Sequence, residues 1–275
     1  NFGDDVNPFL LERVFAKRLI ASETVCIMGI GTIINDRNVA ALDRYSTKII
    51  FSSGAGYEEL RNSLDSSWRV ACVRGPKTAA MMKVDASKAV CDGAVLLSDY
   101  YDIVPAARRE RVAFVPHVNT TWAIGRGLRE ICGELGLAYV SPDLPRDEFV
   151  REISRSDLVL TEAMHGAILA DAMRTPWVCC HIMFHNRFKW EDWCASVGVA
   201  YDPVFLGPRF SDAALTSPAK LPHFLIGRLR RWRIKAHLKK LLASCDPQLS
   251  DEVVLAAKKH ELRRLADDIN QEFAA

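Results

Sequence analysis

A single histidine interrupts an apolar run where a strand is expected to turn into a helix. "TEAMHGAILADAM" (residues 161–173) follows "DLVLT", which is typical of a buried strand, and continues as an apolar helix. Open α/β sheets bind ligands at such turns, and a helix N-terminus attracts anions. His165 is therefore a candidate for proton transfer or for holding a phosphate, and Gly166 would let a ligand approach the backbone. The alternative is a histidine packed in the core with satisfied hydrogen bonds.

Other polar residues lie at the ends of predicted strands. Arg74 in "VRGPKT" precedes a predicted helix, where a guanidinium either binds a carboxylate or phosphate or forms a surface ion pair. His117 and Thr120 end a strand in "FVPHVNTTW". Arg187 and Lys189 lie in a predicted loop, "FHNRFKWEDW". These residue types suit an anionic substrate.

The first residues of the chain place small and polar groups ahead of a predicted helix. In "NFGDD", Asn1, Gly3 and Asp4 either form an N-cap turn or contribute to the site. Asp92 in "CDGAVLL" precedes a predicted strand, and we expect a structural role for it.

Histidines and cysteines do not form a metal-binding pattern. The spacing between His181 and His185 would suit a metal pair, but it begins in a predicted strand and lacks a third ligand. The 8 cysteines include no CxxC pair. This usage fits neither a zinc site nor a disulfide framework, so we expect no metal and a reducing, cytoplasmic location.

The composition indicates a globular enzyme. Of 275 residues, 49% are hydrophobic and 25% charged, a balance that excludes a disordered chain. The 36 basic and 34 acidic residues give a net charge of +2, which argues against a general nucleic-acid-binding protein. No apolar run approaches the roughly 20 residues of a membrane span, and no secretory signal is visible.

Apolar strands alternate with helices along most of the chain, which favours parallel sheets covered on both faces. Strands are predicted at 24–34, 48–57, 69–75, 94–100, 111–118, 138–142, 157–161 and 176–182, and helices at 7–21, 76–84, 122–136, 146–156 and after His165. The alternation restarts after the linker-like "VPAARRE" within 103–110. We therefore predict two Rossmann-like domains, 1–108 and 109–215, with His165 facing the cleft between them, and C-terminal helices over 216–275.

The C-terminal segment differs in character. "HFLIGRLRRWRIKAHLKKLLA" (223–243) predicts a helix with one stripe formed by Leu225, Leu229, Trp232 and Ala236. It carries basic residues and no acidic ones: Arg228, Arg230, Arg231, Arg233, Lys235, Lys239 and Lys240. The helix either packs on the core with a solvated charged face, or contacts an anionic membrane surface or a lipid diphosphate. A second helix is predicted over 250–273, with Ser250 as its N-cap.

These motifs, in their order along roughly residues 1–195, resemble the polysaccharide pyruvyl transferase family, most closely its bacterial exopolysaccharide members. The resemblance rests on Asn1, Gly3 and Asp4, on Arg74 before a helix, and on the stretch from Asp92 to Leu96. It rests most on the segment from Glu162 to Gly166 at a strand-to-helix turn. The arginine that family members carry two residues before the histidine is Ala163 here, so Lys189, Arg187 or Arg74 would have to supply that charge.

The resemblance implies a GT-B-like pair of Rossmann-like domains and transfer of pyruvate from phosphoenolpyruvate. The acceptor would be a sugar of an exopolysaccharide, or of its lipid-linked precursor, and the product a cyclic ketal. This chemistry requires no cofactor or metal. Catalytic roles fall to His165, Arg74 and Asp4, and substrate binding to Asn1, Gly3, His117, Thr120, Glu162, Gly166, Arg187 and Lys189.

Two other interpretations fit the same strand and helix pattern. The first is a GT-B-type glycosyltransferase that uses a nucleotide sugar. The second is a non-catalytic member of a polysaccharide assembly complex, for which Ala163 is the best support. Contact of residues 223–243 with the inner face of the membrane would be peripheral.

Overall fold

The computed structural model describes residues 2–58, 60–183, 185–207 and 223–274, without the side chains of residues 3, 4 and 223–226. The strands are β1 Val25–Met28, β2 Thr47–Ser53, β3 Trp68–Val73, β4 Arg111–Val115, β5 Ala138–Tyr139, β6 Ser156–Thr161, β7 Trp177–His181 and β8 Val204–Phe205. The helices are α1 Phe2–Val14, α2 Lys17–Ile20, α3 Asp36–Ala40, α4 Pro76–Met82, α5 Val118–Glu134, α6 Arg146–Ser154, α7 Met164–Ala172, α8 Arg187–Val197, α9 His223–Ser244 and α10 Glu252–Glu272. Short 3-10 helices span Ala86–Lys88, Gly93–Asp99 and Ala106–Arg108.

Two parallel sheets organise these elements. The first has the strand order β1-β2-β3 and the second β5-β4-β6-β7-β8, and all of their strand pairs are parallel. Parallel strands require crossover connections, and helices supply most of them here. The mixed α/β fold of parallel sheets with helices is the predicted one and is consistent with Rossmann-like units. The domain boundaries at 108 and 215 stay a prediction.

Helix α1 joins the two halves of the molecule. Its Phe2 ring stacks on Phe149 of α6 with centroids 4.1 Å apart, and the Phe2 N–H donates to the Pro142 carbonyl. Further along α1, the Asn7 side chain accepts a hydrogen bond from the Ile30 N–H and donates one to the Ile30 carbonyl. Ile30 lies just after β1. The start of the chain is therefore fixed between the ends of strands from both sheets.

Several predicted elements were wrong in type or extent. Residues 94–100 form no strand: Gly93–Asp99 is a buried 3-10 helix capped by the Asp92 side chain, which accepts from the Ala94 N–H. A buried strand and a buried 3-10 helix both give a continuous apolar run, so hydrophobicity alone does not distinguish a strand from such a helix. Gly3 and Asp4 lie within the first turn of α1 and not in a turn ahead of a helix. Residues 187–197 form α8, capped by Asn186, and not a loop.

The C-terminal helices also differ from expectation. Helix α9 packs on α5 through Ile234, Leu238 and Leu241, whereas Leu229 and Trp232 of the predicted stripe are 45% and 65% exposed. The side chain of Leu225, the first residue of that stripe, lies outside the described residues. Helix α10 is capped by Asp251, which accepts from the N–H groups of Val253 and Val254, and not by Ser250. None of the helices in the described ranges is both long and apolar enough to span a bilayer.

Candidate active site

A cavity of about 420 Å³ opens where the carboxyl ends of strands from both sheets meet. Loops after β1, β2, β4, β5 and β6 form most of its wall, together with residues of α1, α6 and α8. The lining residues are Phe2, Asn7, Ile30, Gly31, Thr32, Ile33, Tyr57, His117, Val118, Asn119, Pro142, Phe149, Ala163, Met164, His165, Gly166 and Lys189. This is the edge at which parallel α/β sheets bind ligands.

The N-terminus of α7 forms one wall of this cavity. Its first residues, Met164 to Gly166, and the N-cap residue Ala163 all line the cavity. Ala163 has only a methyl group, and no side-chain cap satisfies the first turn of the helix. An uncapped helix N-terminus combines N–H donors with a positive dipole end, so this wall suits an anion.

His165 lies beside a buried carboxylate. Its Nε2 is 3.9 Å from Oδ2 of Asp92, which is fully buried. The other oxygen of Asp92 accepts from the Ala94 N–H at 3.0 Å, whereas Oδ2 has no hydrogen-bond partner among the described residues. A carboxylate at this distance can form an ion pair with a protonated imidazole. No pattern in the sequence indicated that Asp92 lies beside His165.

The packing of α7 against the second sheet requires a glycine at position 166. A Cβ at this position would lie 2.6 Å from Oγ1 of Thr161 and 3.2 Å from Cγ1 of Val115. The close approach of α7 to β4 and β6 therefore needs a glycine. Gly166 also lines the cavity, so the predicted approach of a ligand to its backbone stays a prediction.

Lys189 is the cation that lines the cavity. It belongs to α8, is largely buried, and donates from Nζ to the Tyr57 hydroxyl at 2.8 Å. No carboxylate of the described residues lies within ion-pair distance of its ammonium group. A buried cation is costly unless an anion or hydrogen-bond acceptors accompany it, and Tyr57 is the acceptor described here.

His117 caps α5 at the opposite wall. Its Nδ1 accepts from the Asn119 N–H at 3.2 Å, so the neutral ring carries its proton on Nε2. Burial, with a smaller contribution from the Lys189 charge, lowers the pKa of His117 to about 4. His117 is therefore a neutral hydrogen-bonding group at neutral pH.

Glu162 and Thr120 lie buried behind this wall. Glu162 accepts from the backbone N–H groups of His117 and Ile182, at 3.2 and 2.6 Å, and from the Thr120 hydroxyl at 3.3 Å. Burial raises the pKa of Glu162 to about 7, although these hydrogen bonds act in the opposite direction. Glu162 thus holds His117 and the residue after β7 in place, Thr120 bonds Glu162, and neither is part of the described cavity lining.

Arg74 is fully buried next to the cavity. Its Nε donates to Oδ2 of Asp192 at 3.0 Å, Nη1 to Oγ1 of Thr32 at 2.8 Å, and Nη2 to the Ala55 carbonyl at 2.7 Å. A Cβ at Gly54 would lie 2.1 Å from its Cζ, so that glycine makes room for the guanidinium. Arg74 supports Thr32 in the wall and ties β3 to α8, and its predicted contact with a donor stays a prediction.

The other predicted residues are placed as follows. Arg187 has a side chain 75% exposed, pairs with Glu191 at 2.5 Å, and does not line the described cavity. Asn1 lies outside the described residues, and for Gly3 and Asp4 only the backbone is described. The roles predicted for all four therefore stay predictions.

Sequence analysis missed several residues around the cavity. Asn7 accepts from the Ile30 N–H at 2.7 Å and donates to its carbonyl at 2.6 Å, which fixes the loop after β1. Asn7 is one of several polar residues in α1, so no signal in the sequence set it apart. Tyr57 follows a glycine-rich strand end, and Asp192 lies in an aromatic-rich helix, so neither stood out.

The described residues hold no group of three or more His, Cys, Asp or Glu side chains arranged for a metal ion. His181, half of the one spacing that suggested a metal pair, is buried and lies 3.0 Å from the Tyr201 hydroxyl through Nε2. Burial, followed by the charges of neighbouring residues, lowers the pKa of His181 to about 3.

The fold is a mixed α/β arrangement of parallel sheets, consistent with Rossmann-like units, and its cavity is lined by a histidine and a lysine, among other residues. A family model for polysaccharide pyruvyl transferases matches residues 24–181. The chain is also similar to the succinoglycan biosynthesis protein ExoV of Rhizobium meliloti (strain 1021). The two are 31% identical over an alignment 310 positions long, which covers 99% of this chain and 96% of that protein. This chain belongs to the polysaccharide pyruvyl transferase family, as the motifs had indicated.

Proposed function

We propose that this protein transfers pyruvate from phosphoenolpyruvate to a sugar of an exopolysaccharide, or of its lipid-linked precursor, as a cyclic ketal. Membership of the family supports pyruvyl transfer, and the similar protein is named for succinoglycan biosynthesis, which supports an exopolysaccharide acceptor. The observation that carries the proposal is the cavity in which Lys189, His165 and the uncapped end of α7 meet.

Lys189 and α7 bind the donor in this proposal. Phosphoenolpyruvate carries a carboxylate and a phosphate, so its site needs cations or N–H donors around it. Of the three cations that could replace the missing family arginine, Arg74 has its guanidinium nitrogens bonded within the protein and Arg187 is exposed beside Glu191. Lys189 lines the cavity, so we assign it that role.

His165 acts as the acid that begins the reaction. Its proton goes to the methylene carbon of the donor, and C2 becomes cation-like. A hydroxyl oxygen of the sugar then bonds to C2, and its proton replaces the one that His165 gave. The C2–O bond to phosphate breaks, and the second hydroxyl closes the ring and gives its proton to the leaving phosphate. Asp92 stabilises the charged imidazole and holds its orientation in this scheme.

The remaining predicted residues take supporting or unassigned roles. Glu162 and Thr120 position His117, whose Nε2–H can donate to a substrate oxygen. Arg74 acts on the site indirectly, because it holds Thr32 of the cavity wall and Asp192 of α8. The catalytic role predicted for Asp4 and the binding roles predicted for Asn1 and Gly3 stay proposals without an assigned step. The two sheets would form a GT-B-like pair around the cavity, and the protein would act in the cytoplasm.

The test is incubation of the full chain with phosphoenolpyruvate and a panel of lipid-linked oligosaccharides. We expect phosphate release that depends on the acceptor, and a product whose mass exceeds the acceptor by pyruvate less one water. Parallel reactions with nucleotide sugars test glycosyl transfer. Sugar transfer in those reactions, with no phosphate released from phosphoenolpyruvate, would refute the proposal. Absence of turnover in every arm would favour a non-catalytic protein.

A further inference from the structure

The outward surface of α9 carries an apolar centre that no described element covers. Leu229, Trp232 and Ala236 follow one another at one-turn spacing, and Trp232 and Leu229 are 65% and 45% exposed. The helix meets α5 and the core with a different stripe, formed by Ile234, Leu238 and Leu241. We call the surface formed by Leu229, Trp232 and Ala236 the α9 outer face.

Cations border the α9 outer face. Arg228 and Lys239 lie one and two turns from Trp232 on the same side of the helix, and Arg233 and Lys240 flank its other edge. Helix α9 carries no acidic residue in its sequence from His223 to Ser244. The described carboxylates that pair with this helix lie on its inward side. There, Glu130 and Glu134 of α5 pair with Arg231 and Lys235. The border of the outer face is therefore positively charged.

We propose that the α9 outer face binds the surface of a membrane that contains anionic lipid. An exposed tryptophan with aliphatic neighbours inserts at the level of the headgroups, and a border of Lys and Arg pairs with lipid phosphates. A second copy of the same face would oppose cation to cation, and a polyanion alone would leave the apolar centre exposed. This inference does not depend on the reaction that the protein catalyses.

Flotation of the full-length protein with vesicles tests the proposal. We expect binding to phosphatidylcholine vesicles that contain phosphatidylglycerol, and little binding to phosphatidylcholine alone. Binding should fall with added salt, because exposed charges are screened over about 8 Å at physiological ionic strength. Each cation near an anionic surface strengthens binding about fivefold, so the double variant Arg228→Gln/Lys239→Gln should bind about 25-fold more weakly. Trp232→Ser should lower binding on the order of tenfold.

The matched control is Lys17→Gln/Arg37→Gln, which removes the same charge from exposed positions on α2 and α3 beside the first sheet. It should bind as the unaltered protein does. Equal loss in the control, equal binding to neutral vesicles, or no binding to either kind of vesicle would overturn the proposal. Self-association that Trp232→Ser abolishes, without vesicle binding, would assign the face to a second copy instead. Melting temperatures of all variants should match that of the unaltered protein, because the exchanged side chains contact solvent.

Discussion

Replacing Lys189 by methionine separates a ligand-binding role from a structural one. Methionine retains the length and apolar stem of lysine and removes the charge. Lys189 is largely buried, its ammonium donates to Tyr57, and no described carboxylate pairs with it. Tyr57 is 52% exposed, so its hydroxyl can bond to water after the exchange. The exchange should therefore change the stability of the folded protein little, whereas a bound anion would lose the cation that pairs with it.

The expected magnitudes follow from this environment. A hydrogen bond to a charged group contributes about 1.5–3 kcal/mol, which corresponds to a rise of roughly 10- to 150-fold in the donor Kd. The melting temperature should stay the same or rise, because a buried ammonium that pairs with no described carboxylate is replaced by an apolar group. The pKa of His117 should rise from about 4 yet stay below its ordinary value, because burial is the larger cause of its depression and the Lys189 charge the smaller.

Isothermal titration calorimetry with phosphoenolpyruvate measures the donor Kd. Scanning calorimetry measures the melting temperature, and an NMR titration measures the pKa of His117. Arg187→Gln is the matched control, because Arg187 lies in the same helix but is exposed and paired with Glu191. It should leave all three quantities near those of the unaltered protein. An unchanged donor Kd in a folded Lys189→Met variant would refute the assignment of Lys189. An equal loss of affinity in both variants would show that the effect comes from net charge and not from the cavity.

Three further perturbations test the rest of the site. Asp92→Asn removes the charge beside His165, so turnover should fall by roughly 10²-fold with donor affinity retained. Unchanged turnover would exclude a positioning role for Asp92. Arg74→Met leaves the Asp192 carboxylate buried without its cation, so the free energy of unfolding in urea should fall by about 3–5 kcal/mol. Unaltered stability with weakened donor binding would instead support direct contact of Arg74 with the donor. Because folding depresses the pKa of His117 to about 4, the protein should lose stability as pH falls from about 6.5 towards 4, by on the order of 3 kcal/mol from this group. His117→Asn keeps an N-cap acceptor and should flatten this dependence in urea titrations, and equal slopes would contradict it.

Sequence alone determined the fold class, the family and part of the cavity wall. Parallel strands buried on both faces leave apolar runs that end in glycine-rich turns, and these marked most of the strands. Since the carboxyl ends of parallel strands meet at one edge, residues such as His117 and His165 could be expected at a common site. Both line the same cavity.

Tertiary structure alone decided which charges lie at that cavity. Three cations were equivalent candidates in the sequence, because local patterns do not say which partner a long side chain meets. Arg74 meets Asp192, which lies 118 positions further along the chain, and Lys189 meets Tyr57, 132 positions away. These contacts bury one cation in an internal ion pair and leave the other in the cavity wall. Asp92 was read as structural because its partner, His165, follows a strand of the other sheet.

The same limit applies to α9, where the sequence offers two apolar stripes with helical spacing. One contains Leu229 and Trp232, and the other contains Ile234, Leu238 and Leu241. Periodicity shows that both stripes exist but not which of them the rest of the chain covers. Helix α5 decides this, because its Leu128 and Ile131 pack against the second stripe while its glutamates pair with the cations alongside. The tryptophan stripe is left outward because α5 supplies complementary apolar and charged partners to the other side of the helix.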